Sequence, residues 1–307
     1  MEHQKRDEKE IAMLSHEEMI KFQANEHFLI EAENFQSKDE YILQLLHVFA
    51  YTEVARLAEI KKVLDLGCNT GFGTAILSKA VSKVVGVDVS EKALSFARNK
   101  YAELGIEFRK VDGEQLPFHD GEFDTVVSFQ VIEHVIGYDK YISEIKRVLS
   151  PKGIVVFTTP NSSIRLDPGM KPLNPLHHRE FTALELKALL DNFFPNVSIF
   201  GLFAADHIYS IEFNRVHSAL IKARIKRMAP KFMLTMARRL RDSLAGKRKR
   251  EKTTFVLDKE FINQSRIEHL YYHRDNLAKS LDLLAICADD RETFESFQRQ
   301  FVEGDKR

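Results

Sequence analysis

Residues 63–73 read Val-Leu-Asp-Leu-Gly-Cys-Asn-Thr-Gly-Phe-Gly. A short apolar run ends in three glycines, ordered Gly67-x-x-x-Gly71-x-Gly73. Twenty-one residues after Gly67, a second apolar run, Val84-Val85-Gly86-Val87, ends in Asp88. Strand, tight glycine turn, helix and acid-tipped strand predict a nucleoside-binding βαβ unit. Glycine lets the backbone approach a ligand closely because no Cβ intervenes. Asp88 can accept hydrogen bonds from both hydroxyls of a ribose. The plain alternative is a glycine turn that binds nothing, and the acid at this spacing weighs against it.

The order of the glycines differs from the G-x-G-x-x-G of dinucleotide sites. With Asp65 two residues before the first glycine, it resembles motif I of the class I S-adenosylmethionine-dependent methyltransferases. The resemblance continues downstream. Val111-Asp112-Gly113-Glu114 follows a third strand-like run, Ile106–Lys110. Phe123–Phe129 reads as a fourth strand and leads into Gln130-Val131-Ile132-Glu133-His134. Leu149-Ser150-Pro151-Lys152-Gly153 then precedes a fifth, Ile154–Thr159. The match runs over about residues 60–160, roughly a third of the chain, and is similar to the small-molecule branch that includes quinone-biosynthesis methyltransferases. It implies S-adenosylmethionine as cofactor. The implied cofactor site comprises Asp65, Gly67, Cys68, Asn69, Gly71, Asp88, Val89, Asp112, Gly113 and Phe129, with Asp112 taking a bond from the adenine amino group.

The chain has 307 residues, enough for one large domain or two small ones, with 44% hydrophobic and 29% charged residues as in an ordinary globular protein. Its two cysteines, Cys68 and Cys287, have no metal-ligand spacing and give neither a disulfide framework nor a zinc site. No metal site is expected. The N-terminus, Met1-Glu2-His3-Gln4-Lys5-Arg6-Asp7, is too charged for a secretory signal. No apolar run approaches the ~18–20 residues of a membrane span. A cytoplasmic location is expected.

Four segments are expected. Residues 1–58 form an N-terminal helical cap, where Ile42, Leu45, Leu46 and Phe49 share one helix face and Ser37 with Glu40 resembles a capping box. The Phe28-Leu29-Ile30 cluster is too short to assign. In the family such helices often lie across the cofactor pocket; an ordinary packing helix is the alternative. Residues 59–202 form a Rossmann-like α/β core with helices on both faces. Strands are expected near 62–66, 83–88, 106–111, 123–129, 154–159 and 196–202, and helices near 71–81, 90–104, 138–149 and 182–193. The resemblance adds a seventh, antiparallel strand to this mostly parallel sheet. Leu281–Cys287 is the candidate, within a final segment 281–307 that ends in a helix. Residues 203–280 are then a helical insertion before the last strand. Apolar positions from Val216 to Leu244 step at helical intervals, Pro230 should break or kink them, and Lys247-Arg248-Lys249-Arg250 reads as an exposed turn or link.

Methyl transfer from a sulfonium needs alignment and desolvation. A hydroxyl acceptor also needs a base within hydrogen-bond reach. Two candidates present themselves. His134 lies just past the fourth strand, where open α/β sheets bind their ligands, and its unperturbed pKa of ~6.5 suits proton transfer; a purely structural role is the alternative. His177 lies in Asn174-Pro175-Leu176-His177-His178-Arg179-Glu180-Phe181. That stretch resembles the N-P-x-H-x-R-E-F segment of methyltransferases of glycan and lipid-linked-sugar pathways. The alternative, of equal weight, is that Glu180 and Thr182 only start the next helix. No Asn/Asp-Pro-Pro-Tyr/Phe follows the fourth strand, no cysteine sits where a C5-pyrimidine enzyme needs one, and no acidic cluster marks a polyamine site.

Net charge is zero but unevenly placed. Between Lys222 and Lys252 stand thirteen Lys+Arg and two Asp+Glu, a local +11, leaving −11 elsewhere. Three readings stay open: a solvated basic face, contact with an anionic membrane surface, or RNA, which the single aromatic Phe232 supports poorly. The expected function is methylation of a small molecule or a sugar, lipid-linked sugars included, with oxygen favoured as acceptor atom. An RNA methyltransferase and a non-catalytic S-adenosylmethionine-binding protein are the rivals.

Overall fold

The computed structural model describes residues 18–20, 22, 35–57, 61–228 and 257–304. The Phe28-Leu29-Ile30 cluster, the break expected at Pro230, the helical intervals beyond it and the basic tetrad 247–250 lie outside these residues.

Helix α1 spans Lys38–Ala55. Ser37 accepts the Glu40 amide as expected of a cap, but the Glu40 carboxylate accepts from the amide of Gln36, one residue upstream of the reciprocal partner. The alternating core then follows. It comprises β1 (Lys62–Leu66), α2 (Phe72–Leu77), β2 (Lys83–Asp88), α3 (Glu91–Lys100), β3 (Glu107–Lys110) and β4 (Phe123–Phe129). It continues through α4 (Tyr138–Val148), β5 (Leu149–Pro160), a single turn α5 (Ser162–Arg165), α6 (Ala183–Leu190) and β6 (Asn196–Ala204). The chain ends with α7 (Asp206–Met228), α8 (Lys259–Gln264), β7 (Leu270–His273), β8 (Asp282–Ala288) and α9 (Arg291–Gly304).

The sheet has the order β3-β2-β1-β4-β5-β8-β6-β7. The first five strands pair in parallel. β8 inserts antiparallel between β5 and β6 and falls one residue from the Leu281–Cys287 stretch expected to be the antiparallel strand. The sheet nevertheless has eight strands, not seven. The extra one, β7, pairs antiparallel with β6 and comes from the stretch expected to be a helical insertion. Leu270 and Tyr272 turn inward while Tyr271 and His273 face out. That two-residue period is real, but four residues are too few for it to stand out from sequence.

Adjacent residues of each central strand feed opposite faces, as the pleat requires. Val63, Val84, Val127 and Val156 join one cluster with Ile42, Leu46 and Phe49 of α1 and Phe294, Phe297 and Phe301 of α9. Leu64, Val85, Val126 and Val155 join the other with Ile142, Ile145 and Val148 of α4 and Leu186 and Leu190 of α6. Strand order reverses between β1 and β4, so their carboxyl ends splay apart there and leave a crevice.

Candidate functional site

A cavity of about 720 Å³ opens at that crevice, lined by residues that follow β1, β2, β4 and β5 and roofed by α1. At one end lies the glycine loop. Gly67 has φ +83°, and a Cβ there would stand 2.4 Å from Cγ2 of Val131. Only glycine allows the ends of β1 and β4 to approach this closely. The amides of Gly67 and Cys68 both donate to the carbonyl of Val87, at 2.8 and 2.9 Å, which ties the loop to β2. Asp88, buried at the tip of β2, accepts the Asn69 amide on Oδ2 at 2.9 Å and the Ser90 amide on Oδ1 at 2.8 Å. Each carboxylate oxygen has a second lone pair, and the residue lines the cavity.

Of the residues expected to hold a cofactor, Gly67, Cys68, Asn69, Asp88, Val89, Gly113 and Phe129 line this space. Asp65, Gly71 and Asp112 do not. Asp65 points from β1 into the α1–α2 interface, where Tyr51 donates to Oδ1 at 3.0 Å and Thr74 to Oδ2 at 2.6 Å. Burial raises its carboxyl to about 7 against the pull of these two bonds. Its work is structural: it joins the roof to the glycine loop from beneath. Gly73 makes room for this, since a Cβ there would meet the Tyr51 ring at 2.1 Å. Gly71 is the N-cap of α2 and packs under Phe108. Asp112 is exposed and accepts the amides of Glu114 and Gln115, which lower its pKa.

The other end of the cavity unites both candidate bases. Glu133, on the turn after β4, accepts the amides of His178 and Arg179 on its main-chain oxygen, at 2.7 and 3.1 Å. His134 Nδ1 lies 2.9 Å from the Leu176 carbonyl. A carbonyl only accepts, so Nδ1 donates and carries the proton. These bonds draw the loop after β5 onto the end of β4, and the His134 and His177 rings meet edge to face with centroids 4.7 Å apart. The two histidines, alternatives in sequence, belong to one cluster in space.

Carboxylates surround that cluster. His177 Nδ1 lies 2.7 Å from Glu180 Oε1, and Arg165 donates to Glu180 Oε2 at 2.9 Å. Burial pushes Glu180 upward, but His177 and Arg165 more than offset it and hold the carboxyl below its usual range. Glu133 is fully buried; Thr159 donates to Oε2 at 3.0 Å, and Oε1 has no hydrogen-bond partner among the described residues. Burial lifts its pKa to about 7, opposed by the charge of His177. Asp282, at the start of β8, also lines the cavity, accepts from Gln130 Nε2 at 3.2 Å and is raised by burial to about 7. Gln130 has φ +57°, a strained conformation for a residue of this kind, and lines the cavity too. Donor atoms of Glu133, His134 and His177 lie within 4.8 Å of one another, a donor set that could also hold a transition-metal ion.

Several of these residues escaped the sequence reading. Glu133 stood beside His134 in the quoted run, and a buried acid after a strand end was the available signal. Arg165, Asp282 and the Glu212–Arg215 ion pair of α7 carry no local signal, because only the tertiary fold brings them to the cavity.

Residues 64–157 match the model of a methyltransferase domain family. A Mycobacterium tuberculosis protein named "Probable S-adenosylmethionine-dependent methyltransferase" is 34% identical over 183 residues, 59% of this chain and 65% of that one. The fatty-acid O-methyltransferase of Mycolicibacterium smegmatis is 30% identical over 122 residues, 39% and 43% of the two chains. Among solved structures, that of the [4+2]-cyclase SpnF superposes with TM-score 0.50 at 17% identity, covering 90% of this chain and 97% of that one. This last likeness concerns the fold alone. The chain spans just under two thirds of the length of the first relatives it matches. Residues 64–157 are thus similar to a methyltransferase domain, and they lie within the eight-stranded α/β sheet described above.

Proposed function

We propose that this chain transfers the methyl group of S-adenosylmethionine to an oxygen of an acceptor with an apolar body, a lipid-linked sugar among the candidates. The observation that carries the reading is the single cavity with a nucleoside-type end at Gly67 and Asp88 and a proton-accepting end at His134 and His177. The glycine loop fits the cofactor because Gly67, at φ +83° and with no room for a Cβ, lines the cavity beside Asp88. Asp88 would hold the ribose hydroxyls and Gly113 would leave room beside the base. When bound, the cofactor supplies an already activated methyl group, and the protein's part is positioning and exclusion of water.

His177 is the better candidate for the base. Glu180 holds its Nδ1 proton and leaves Nε2 to accept one from the acceptor. The ionised carboxylate then stabilises the imidazolium that forms, the logic of a histidine oriented by an acid. His134 is oriented by a neutral carbonyl and gains less. The wall of the cavity formed by Leu43, Leu46, Ala50, Leu202 and Tyr272 supports an apolar acceptor body. Two relatives named for lipid-related methylation, of fatty acids and of phthiotriol or phenolphthiotriol dimycocerosates, support the same reading.

The test is methyl transfer from isotopically labelled S-adenosylmethionine into fractionated cell extract, with cofactor binding measured separately by calorimetry. Label in a lipid or amphiphilic fraction, lost from His177→Ala, is the expected result. Label in RNA would overturn the acceptor class. Cofactor binding with no label in any fraction would favour a binding protein without turnover.

A further inference from the structure

Helix α7 changes character along its length. Its first half is part of the molecule's interior: Glu212 and Arg215 line the cavity, and Val216 and Leu220 are each 4% exposed. One residue further on the pattern reverses. Ile221 is 43% exposed, Ile225 60% and Met228 85%. Steps of four and three residues put these three on one face of the helix. They form an apolar stripe turned away from the core. Lys222 and Arg224 flank it on opposite sides, and Arg224 also pairs with Asp167 of the loop after β5. The stripe opens the stretch 222–252, whose thirteen basic and two acidic residues make it the most cationic part of the chain.

We propose that the C-terminal turns of α7 rest on an anionic lipid surface. An apolar stripe between cationic residues is the composition that lies in a bilayer interface, with the apolar side chains among acyl chains and the charges at the headgroups. Two other occupants fit less well. Nucleic acid would use the charge, but it has no use for isoleucine and methionine in a row. A second copy seated on the same face would bring the cationic flanks of the stripe, Lys222 and Arg224, against their own kind across a symmetric contact. The docking does not depend on which group the enzyme methylates. It would bring a membrane-held acceptor near the cavity, because Arg215 and Met228 are thirteen residues apart on one helix, about 20 Å at 1.5 Å per residue.

The experiment is co-sedimentation of the full chain with vesicles of phosphatidylglycerol and phosphatidylcholine, against vesicles of phosphatidylcholine alone. The chain is expected with the anionic vesicles and largely absent from the neutral ones. Raising the salt from physiological ionic strength, where screening limits reach to ~8 Å, toward about 1 M, where reach falls to ~3 Å, should weaken the binding. The double variant Ile225→Ser, Met228→Ser should lower the vesicle partition about tenfold while thermal unfolding stays within a degree or two of the parent. Replacing Lys247, Arg248, Lys249 and Arg250 by Gln should weaken binding and flatten its salt dependence. Equal, negligible sedimentation with both vesicle types overturns the proposal. So does unchanged vesicle binding by the double serine variant, which would leave the stripe without a part in it. Tight, salt-sensitive RNA binding without vesicle binding assigns the charge to nucleic acid. A concentration-dependent dimer abolished by the serine variant assigns the stripe to a second copy.

Discussion

The glycine-loop end of the cavity is built from one short stretch of chain, residues 67–88, whereas the histidine end is assembled from four distant ones. Gly67, Asn69 and Asp88 belong to one βαβ unit, and their mutual bonds are main-chain amides meeting a carbonyl and a carboxylate. Glu133, His177, Arg215 and Asp282 come from separate segments and line the cavity together. The first end is set by backbone geometry that any sequence with the right glycines would adopt. The second depends on the register of loops and on buried charges that burial drives toward neutrality. A family can therefore keep one end while changing the other, which is how one fold comes to serve many acceptors.

The comparison breaks most readily at His177. His177→Ala should lower turnover into the labelled extract product by roughly a hundredfold or more, with S-adenosylmethionine affinity nearly unchanged by calorimetry. If both histidines can be removed singly without loss, the acceptor needs no imidazole and the two ends are not a cofactor side and a base side. Next in size is Asp88→Ala. A carboxylate holding ribose hydroxyls contributes roughly 1.5–3 kcal/mol per charge-assisted bond, so cofactor affinity should fall at least about tenfold. Unchanged affinity in a folded variant would remove the nucleoside assignment.

Glu180→Gln sharpens the distinction between orienting and reacting groups. Turnover should fall about tenfold, less than for His177→Ala, because an amide still accepts the Nδ1 proton but cannot stabilise a cation. The same change has a sign in stability. Glu180 sits below its ordinary value of 4.5, so its contribution is present above that pH and lost as pH falls through the lower folded value. Glu180→Gln should therefore be less stable than the parent at pH 7, with the difference shrinking as pH falls below 4.5.

The smallest effect has the opposite sign. Asp282 is raised from 3.8 to about 7, so the folded state holds its proton more tightly than the unfolded chain. The parent then loses stability as pH climbs between these values. Asp282→Asn should melt a few degrees higher than the parent at pH 8, with the gain gone by pH 4. A melting temperature that is independent of pH in both proteins would mean that Asp282 is ionised and solvated through the cavity.

The uneven construction also explains what could be read from sequence. Asp88, Gly67 and the strands of the core were legible because each is announced within a few residues by apolar periodicity and glycine. Asp65 was legible as part of a motif, yet its direction was not. The pleat sends alternate residues to opposite sides, and Tyr51, which receives it, lies on a helix fourteen residues upstream. His134 and His177 were each visible, but nothing local says that the Glu133 carbonyl joins their loops. β7 was missed because its period lasts four residues. Asp282 reads in sequence as the polar start of a buried strand and gains its meaning only from Gln130, at a separation of 152 residues.

The main-chain oxygen of Glu133 is one atom that receives two amides, those of His178 and Arg179. The loop that carries the second histidine is thus tied to the end of β4 by a peptide group as well as by the His134 ring. Replacing side chains one at a time would pass over it, since every residue at 133 except in a broken backbone still offers that carbonyl. Hydrogen exchange would see it. The amides of His178 and Arg179 should exchange far more slowly than those of a loop without such bonds, and together, because a single opening frees both. The approach of the two loops is in that sense partly a property of the backbone, while Glu180 and the Leu176 carbonyl set how each imidazole is turned.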